Sequence, residues 1–436
     1  MKIWILCPFA GSPRHGMNYR QFYFAREFVR AGHEVLIVSS SYSHQFLVQP
    51  RTEGTYTAER IEGVDYLWIK CPSFRGSADP KRLLNWLVFT LRLRGLPGRA
   101  PFRPDAIIVS SPIPYPILPA AGLARRLGAG LVFEVRDLWP LSLVELGSHS
   151  ERHPFIRFTQ WVEDFAYRKA DLVVSALPGA FEHMKTRGLP PEKFLWVSNG
   201  MDPGDLLPRH GPGEDPSPAA GSGNSDGTGG LDDRNGHAGP ASTGSPGGKR
   251  PFKVCYAGSF HARAVALTLV EAAASLAAAR PDVEFILIGK DSGGLHILKE
   301  RAALLGAKNI RFREAVPRTE MQGVLAEMNL CVAMTKASPL YRFGIALTKL
   351  FDYMMAGKPI LLASNASGDI VTSSGCGLVV RPEDPAALAE AIVKMADSPP
   401  SLLGAMGEAG RKTLLSSYTY PKLAAKYLEA LERIPR

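Results

Sequence analysis

The stretch DAIIVSSPIPYPILPAAGLARRLGAGLVFEVRDLWP, residues 105–140, decides the fold. It contains two apolar runs, at 105–111 and 130–135, separated by a segment of helical length. Runs that are apolar at nearly every position are typical of parallel strands, because helices cover both faces of such a sheet. The stretch therefore predicts a strand-helix-strand unit of an α/β fold.

Similar strands recur in two series along the chain. The first series adds IWILC (3–7), EVLIVSS (34–40), DYLWI (65–69) and DLVVSA (171–176), and the second comprises FKVCYAG (252–258), VEFILIG (283–289), NIRF (309–312), LCVAMT (330–335), PILLA (359–363) and GLVV (377–380). Segments with the helical spacing of large apolar residues, such as 18–32 and 152–170, lie between strands. The repeated alternation predicts two Rossmann-like, doubly wound domains that face each other across a ligand-binding cleft.

Composition suggests where the domains meet. Residues 203–250 are rich in Gly, Pro, Ser, Asp and Asn and contain almost no large apolar residue after Leu207, which predicts a disordered linker. We therefore expect an N-terminal domain over 1–202 and a C-terminal domain over 251–416. A chain of 436 residues is also longer than one hydrophobic core usually organises.

The net charge of +10 is uneven, and most of it lies in the N-terminal half. The apolar segment LLNWLVFTL (83–91) lies within a stretch, 80–104, that contains no acidic residue. The basic residues of that stretch are Lys81, Arg82, Arg92, Arg94, Arg99 and Arg103. This combination suits contact with an anionic membrane surface. A solvated helix whose apolar face packs on its own domain is an equally good interpretation.

The location of the protein follows from what the sequence lacks. The N-terminus has no signal-peptide cleavage site, and no run reaches 18 apolar residues, so we expect a cytoplasmic protein. If the basic segment contacts lipid, the protein lies at the inner face of the cytoplasmic membrane. The five cysteines lie far apart without a C-x-x-C spacing, which indicates buried thiols and no zinc site. We expect no metal ion and no nucleic-acid partner.

Charged residues cluster at the end of the strand at 130–135. Glu134, Arg136 and Asp137 are costly to bury unless they pair or act. Because the carboxyl ends of the strands face the crevice, we favour a catalytic role over a structural ion pair. Asp137 can position or deprotonate an acceptor hydroxyl, and Arg136 can pair with it or hold a phosphate.

The first strand is followed by the loop GSPRHG (11–16), which precedes a helix. It matches neither the Walker A loop nor the G-x-G-x-x-G fingerprint, so neither ATP nor NAD is expected. His15, Gly16 and Arg20 lie at this helix N-terminus, where they can meet an acceptor or a phosphate. A plain tight turn is the alternative.

In the second series, the strand at 252–258 runs into Gly258, Ser259 and Arg263. Backbone amides at a helix N-terminus together with a guanidinium group suit a phosphate. Turn geometry alone would also explain the glycine and the serine.

The stretch TKLFDYMMAGKPIL (348–361) is the most informative part of the C-terminal half. Thr348 and Lys349 lie near a helix start, where they can meet a diphosphate. Asp352 lies one turn later on the same face and can accept hydrogen bonds from ribose hydroxyls. Taken alone, the spacing of Lys349 and Asp352 is also that of a surface ion pair.

Four motifs together resemble the signature segments of retaining GT-B glycosyltransferases. They are HGMNYR (15–20), FEVRDLWP (133–140), SNGMD (198–202) and TKLFDYMMAGKPIL (348–361), in that order. The similarity points to the WbuB-like branch, which resembles L-fucosamine transferases of bacterial surface polysaccharide synthesis. It covers nearly the whole chain outside the linker.

The resemblance implies a UDP-sugar donor on the C-terminal domain, an acceptor on the N-terminal domain, no cofactor, and a metal-independent reaction that retains the anomeric configuration. It also implies a C-terminal helix, within 417–436, that crosses back to the N-terminal domain. Asp352 would bind the ribose, and Lys349 and Arg263 would hold the diphosphate in place of a metal.

Gly289 and Lys290 would line the nucleotide pocket by the same resemblance. Two positions depart from the family pattern. The glutamate that contacts the donor sugar in the broader family is replaced by Gly344, and the histidine that many relatives carry after the fifth strand is absent, with Arg136 and Asp137 in that region.

The preferred interpretation is transfer of a sugar from a UDP-sugar to a glycan or lipid-linked acceptor in cell-surface polysaccharide synthesis. A UDP-sugar 2-epimerase of the same fold is the first alternative. A non-catalytic, membrane-surface partner of a glycan assembly complex is the second, and the missing glutamate suggests it.

Overall fold

The computed structural model describes residues 1–16, 19–76, 79–147, 149–206, 250–261 and 265–434. Residues 207–249, which make up most of the predicted linker, lie outside the described residues. Arg263, which we expect to contact the diphosphate, also lies outside them.

The N-terminal domain is built on one eight-stranded sheet. Its strands are β1 (Lys2–Leu6), β2 (Glu34–Ser40), β3 (Tyr56–Ile61), β4 (Val64–Ile69), β5 (Ala106–Ser110), β6 (Gly130–Val135), β7 (Leu172–Ser175) and β8 (Phe194–Trp196). Its helices are α1 (Arg20–Arg30), α2 (Lys81–Arg92), α3 (Ile117–Leu127), α4 (Leu141–Glu145), α5 (Pro154–Lys169) and α6 (Ala180–Thr186). The strand order is β3-β4-β2-β1-β5-β6-β7-β8. All neighbours pair in parallel except β3, which is antiparallel to β4.

The C-terminal domain contains a six-stranded parallel sheet and a separate two-stranded one. Its strands are β9 (Phe252–Ala257), β10 (Phe260–His261), β11 (Val283–Ile288), β12 (Asp291–Ser292), β13 (Ile310–Arg313), β14 (Leu330–Met334), β15 (Ile360–Ala363) and β16 (Gly377–Val380). The helices are α7 (Ala266–Leu276), α8 (Leu295–Leu304), α9 (Arg318–Ala326), α10 (Thr348–Met355), α11 (Ile370–Ser374), α12 (Pro385–Ala396), α13 (Pro400–Ser417) and α14 (Tyr420–Glu432). The order β13-β11-β9-β14-β15-β16 forms the main sheet, and β10 and β12 form a separate pair.

The predicted architecture of two doubly wound α/β domains is confirmed. The sequence did not predict β3, because an edge strand is paired on one side only and YTAERI carries polar residues at half-exposed positions. It also missed β8, whose three residues are too short to show a pattern.

The last helix of the chain packs on the N-terminal domain. The rings of Tyr23 in α1 and Tyr420 in α14 stack with their centres 4.5 Å apart. Tyr427 of the same helix packs edge-on against Phe24 and Phe28. Burial of these aromatic rings anchors α14 to the N-terminal core.

Two further features bear on location and redox state. The five cysteines all lie in the described part of the chain, where they are buried and form no disulfide. Of the helices that the structure describes, none has the length and apolarity needed to cross a bilayer.

Candidate active site

Two glycines at neighbouring strand ends form the floor of the C-terminal half of the site. Gly258 follows β9 and Gly289 follows β11, and the Gly258 amide donates to the Ile288 carbonyl over 2.9 Å. A side chain at Gly289 would overlap the Gly258 carbonyl. The backbone is therefore bare where parallel strands end, which is where α/β folds bind ligands.

Lys349, near the N-terminus of α10, reaches this floor. A Cβ placed on Gly258 would lie 2.6 Å from the Lys349 Nζ. The ammonium group also lies 4.2 Å from the centre of the Tyr256 ring. Burial lowers the pKa of Lys349 to about 8, although Cys255 and Asp352 oppose the shift. The structure thus brings together Gly258, Gly289 and Lys349, which we had singled out from separate parts of the sequence.

The other predicted donor residues surround this floor. Ser259, Lys290 and Thr348 are exposed at the mouth of the site, and Asp352 is half-buried one turn along α10. Tyr353 holds this helix against the sheet, because its hydroxyl accepts a hydrogen bond from the Ala257 amide over 2.9 Å. The lysine and the glycines are therefore fixed by elements of the same core.

Arg20 and Glu134 form a buried ion pair in the N-terminal domain. Arg20 Nε donates to Glu134 Oε1 over 3.1 Å, and Ser110 Oγ donates to the other carboxylate oxygen over 2.5 Å. Arg20 Nη2 and Nη1 also donate to the carbonyls of Val197 and Ser198 over 2.8 and 2.7 Å. We had predicted a catalytic role for Glu134 and a place on the acceptor side for Arg20. The structure pairs these two residues with each other, and both are buried.

Asp137 lies in the loop after β6, on the cleft side of the sheet. Burial raises the pKa of Asp137, while the backbone of Leu138 and the charge of Arg136 oppose the shift. The carboxylate in turn contributes to raising the pKa of Tyr341, which belongs to the C-terminal domain. Of the three charges predicted at this strand end, Asp137 is near enough to the C-terminal domain to affect the pKa of Tyr341.

The Arg136 backbone and the His15 side chain are each fixed by a hydrogen bond to a serine. The Arg136 amide donates to Ser111 Oγ over 2.8 Å. His15 is buried, its Nδ1 is hydrogen-bonded to Ser12 Oγ at 2.9 Å, and its ring centre lies 4.8 Å from that of Trp68. Burial lowers the pKa of His15.

Gly16 completes the loop that follows β1. It has a left-handed φ of 79°, and a Cβ there would lie 2.6 Å from Leu47. The structure therefore brings His15 and Gly16 into the packing of this loop, which agrees with the tight-turn alternative. Their predicted contact with an acceptor stays a prediction.

The two domains touch at the loop around Gly344. This residue has a φ of 90°, and a Cβ there would lie 2.5 Å from Pro178 of the N-terminal domain. The Gly179 amide donates to the Phe343 carbonyl over 2.9 Å, and Arg342 forms an ion pair with Glu145 at 3.0 Å. In this arrangement, the position has no room for the glutamate that the broader family carries.

Two residues near these groups were not singled out from the sequence. Tyr256 supplies the ring beside Lys349, and the pKa of Tyr341 is raised in part by the charge of Asp137. Tyr256 lies within an apolar strand, so it looked like an ordinary core residue. Tyr341 lies three positions before Gly344 and seven before the motif at 348–361, and that proximity is the signal that could have found it.

No group of three or more His, Cys, Asp or Glu side chains among the described residues is placed to hold a metal ion. The donor half of the site instead presents the ammonium group of Lys349 and two bare backbone turns.

Comparison with known proteins agrees with this geometry. The family described as Glycosyl transferase 4-like domain matches residues 15–200, and the family described as Glycosyl transferases group 1 matches residues 251–398. No curated protein sequence matches the chain.

Several solved structures share the fold. Sucrose-phosphate synthase from Thermosynechococcus elongatus is 14% identical, with a TM-score of 0.70 over 99% of this chain and 98% of its own. HepE of Anabaena, in complex with UDP and glucose, is 15% identical, with a TM-score of 0.64 over 100% of both chains. WaaG, a glycosyltransferase involved in lipopolysaccharide biosynthesis, is 15% identical, with a TM-score of 0.61 over 98% of this chain and 99% of its own.

The fold, with two Rossmann-like α/β domains, is therefore that of the GT-B glycosyltransferases. The N-terminal half of the chain matches a Glycosyl transferase 4-like domain and the C-terminal half a Glycosyl transferases group 1 domain, so the protein is a glycosyltransferase.

Proposed function

We propose that the protein transfers a sugar from a UDP-sugar to a glycan or lipid-linked acceptor in cell-surface polysaccharide synthesis. The observation that carries this proposal is the Lys349 ammonium group beside the bare backbone of Gly258 and Gly289. A fixed cation and uncovered amides at strand ends suit a diphosphate. Asp352, one turn further along α10, binds the ribose in this proposal.

The acceptor lies on the N-terminal side of the cleft in this proposal. Asp137 positions or deprotonates the acceptor hydroxyl, because its pKa is raised towards the working range of a general base. Arg136 beside it stabilises the carboxylate or contacts a phosphate of either substrate. Glu134 and Arg20 form a buried ion pair that stabilises the interior of the domain, and in this proposal they do not contact the substrate.

Retention of configuration and independence from metal ions are part of the same proposal. A cation already held by the protein offsets the charge that develops on the departing diphosphate. We expect turnover to be unchanged by EDTA. Loss of activity in EDTA that manganese restores would contradict this part of the proposal.

The finer assignment follows the family resemblance to the WbuB-like branch and its L-fucosamine transferases. WaaG, named for its involvement in lipopolysaccharide biosynthesis, supports a role at the cell surface. The basic, acid-free stretch at 80–104 supports a cytoplasmic protein at the inner face of the membrane.

The deciding experiment incubates the protein with a panel of UDP-sugars and lipid-linked acceptors and identifies the products by mass spectrometry. We expect a glycosylated acceptor and free UDP, with the anomeric configuration determined by NMR. Conversion of the UDP-sugar to its 2-epimer without an acceptor would favour the epimerase. UDP binding without turnover on any acceptor would favour a non-catalytic partner.

A further inference from the structure

An apolar groove lies on the N-terminal domain between α2, α3 and α5. Its volume is about 410 Å³, which is within the range of small-molecule sites. It is lined by Leu83, Trp86, Leu87, Thr90, Leu91, Arg94, Tyr115, Leu118, Pro119, Phe155 and Phe158. Leu87 and Phe158 are 53% and 49% exposed. Large apolar side chains left open in this way mark a binding surface.

The groove is a formed feature of the domain. On one side of α2, Trp86 and Phe89 are buried in the core, whereas Leu87 and Leu91 face outwards. The floor is formed by Tyr115, whose ring stacks on Phe158 at 5.8 Å and 17°. The Tyr115 hydroxyl is hydrogen-bonded to Thr159 Oγ1 at 2.8 Å, so this polar group is satisfied. What remains open, apart from the Arg94 side chain, is mostly hydrocarbon surface.

The groove continues towards the loop that carries Asp137. The Trp86 ring, which lines it, packs edge-on against Trp139 with the centres 5.8 Å apart. Trp139 follows Asp137 by two residues. In addition, α3 follows β5, and α5 follows β6 and α4. The carboxyl ends of these strands face the cleft, so the N-terminal ends of both helices lie near the site. Phe158 lies in the N-terminal part of α5.

The charges beside the groove are positive. Arg94 lines it, and the Arg82 guanidinium lies 4.7 Å from the centre of the Trp86 ring. The stretch 80–104 has six basic residues and no acidic one, so an anionic group next to a hydrocarbon chain is complemented here.

Building on the transferase function above, we propose that this groove binds the hydrocarbon chain of a phosphate-bearing lipid acceptor and directs its head group to Asp137. The chain occupies the space between Leu87 and Phe158, and the phosphate lies near Arg82 or Arg94. The exposed leucines of α2 that line the groove then contact the hydrocarbon chain of the acceptor, and contact with a bilayer is secondary.

Two leucines of α2 allow a matched test. Leu87 lines the groove, whereas Leu84 is on the same helix, 49% exposed, and does not line it. Binding of dodecyl phosphate, below its micelle concentration, is measured by calorimetry for the whole protein and for Leu87→Glu and Leu84→Glu. We expect at least a tenfold loss of affinity for Leu87→Glu and less than a twofold change for Leu84→Glu. Butyl phosphate, with the same head and a short chain, is expected to bind at least tenfold more weakly than dodecyl phosphate.

The same samples are titrated with UDP, which keeps the two proposals apart. If the unaltered protein binds UDP but not dodecyl phosphate, the groove assignment alone is overturned. If the unaltered protein does not bind UDP, the result counts against the proposed function. Equal binding of butyl and dodecyl phosphate would mean that only the phosphate is recognised. If both variants lose binding to phosphatidylglycerol vesicles equally and neither affects dodecyl phosphate, the surface contacts a bilayer and holds no single chain.

Discussion

The Lys349 ammonium group lies 4.2 Å from the centre of the Tyr256 ring and directly beside the α-carbon of Gly258. The ring and the surrounding core remove water from the charge, which is why burial is the largest cause of the lowered pKa. An anion bound there would restore the favourable environment of the charged form. In the proposed donor site, Lys349 would therefore couple proton binding to diphosphate binding.

The first prediction concerns the pH dependence of UDP affinity. Because the pKa of Lys349 is lowered to about 8, the free protein loses this charge as the pH rises through that value. At pH 9 about a tenth of the molecules keep it, so the dissociation constant for UDP should be about tenfold higher than at pH 7. Calorimetry at the two pH values measures the ratio.

Lys349→Arg is the matched variant, because a guanidinium stays charged throughout this range. Its absolute affinity is free to differ, but the ratio between pH 9 and pH 7 should fall close to one. An equal ratio in both proteins would assign the titration to another group.

The second prediction tests the bare backbone at Gly258. A methyl group there would lie 2.6 Å from the Lys349 Nζ and 2.9 Å from the Tyr256 hydroxyl. The lysine must move, so Gly258→Ala should weaken UDP binding by about tenfold or more, the loss expected for one charge-assisted hydrogen bond. The melting temperature should change little, because a flexible side chain can yield.

Gly323→Ala is the control for this substitution. Gly323 lies in α9 with nothing within 4 Å of an added Cβ, so the change should leave UDP affinity intact. It should also stabilise the helix by about 0.5–1 kcal/mol. Unchanged UDP binding by Gly258→Ala would show that the diphosphate lies elsewhere.

The third prediction separates the two halves of the cleft. Asp352→Ala should raise the dissociation constant of UDP by about tenfold to a hundredfold, because the ribose hydroxyls lose a charged hydrogen-bond acceptor. Asp137→Ala should leave UDP affinity within about twofold and lower the turnover rate by about a hundredfold. Calorimetry with UDP and initial rates on the same preparations distinguish the two effects. The reverse pattern would exchange the roles that we assign to the two domains.

The pH profile gives Asp137 a second, independent readout. Its pKa is raised by burial, so the carboxylate forms at a higher pH than that of an exposed aspartate. The ascending limb of the pH profile of kcat/KM should therefore lie at a higher pH than expected for an exposed aspartate. Asp137→Ala should abolish that limb.

The sequence predicted most of the strands because a parallel strand covered on both faces is apolar along its whole length, as in β2 and β6. Local signals at a strand end and a helix start also singled out Gly258 and Lys349, whereas Gly289 came from the family resemblance. What it could not predict are pairings between distant residues. Arg20 and Glu134 are 114 positions apart, and a strand end full of charges looks the same whether its partner is a substrate or an arginine of another helix.

The Gly344 loop shows a second limit. The sequence shows that a glutamate is missing, but the reason for the glycine depends on the other domain. With a φ of 90° and Pro178 against its α-carbon, the position favours glycine both by conformation and by lack of space. Such a contact depends on how the two domains meet, which no local pattern records.

The fourth prediction concerns the buried pair of Arg20 and Glu134. Arg20→Met should destabilise the N-terminal domain by about 3–5 kcal/mol, because it leaves the Glu134 charge buried without compensation. The carbonyls of Val197 and Ser198 would lose their donors at the same time. Denaturant unfolding followed by circular dichroism measures the loss. Arg14→Met is the control, because the Arg14–Glu59 ion pair involves a largely exposed arginine, and its removal should cost at most about 1 kcal/mol.

The double variant Arg20→Met/Glu134→Leu decides whether the pair is structural. With both charges gone, no uncompensated carboxylate remains, so the double variant should be more stable than Arg20→Met alone by about 1 kcal/mol or more. A residue that holds the core should change UDP affinity and turnover only as far as it changes the folded fraction. If Arg20→Met kept full stability but lost turnover, Arg20 would contact a substrate, and the assignment of this pair to the interior would be wrong.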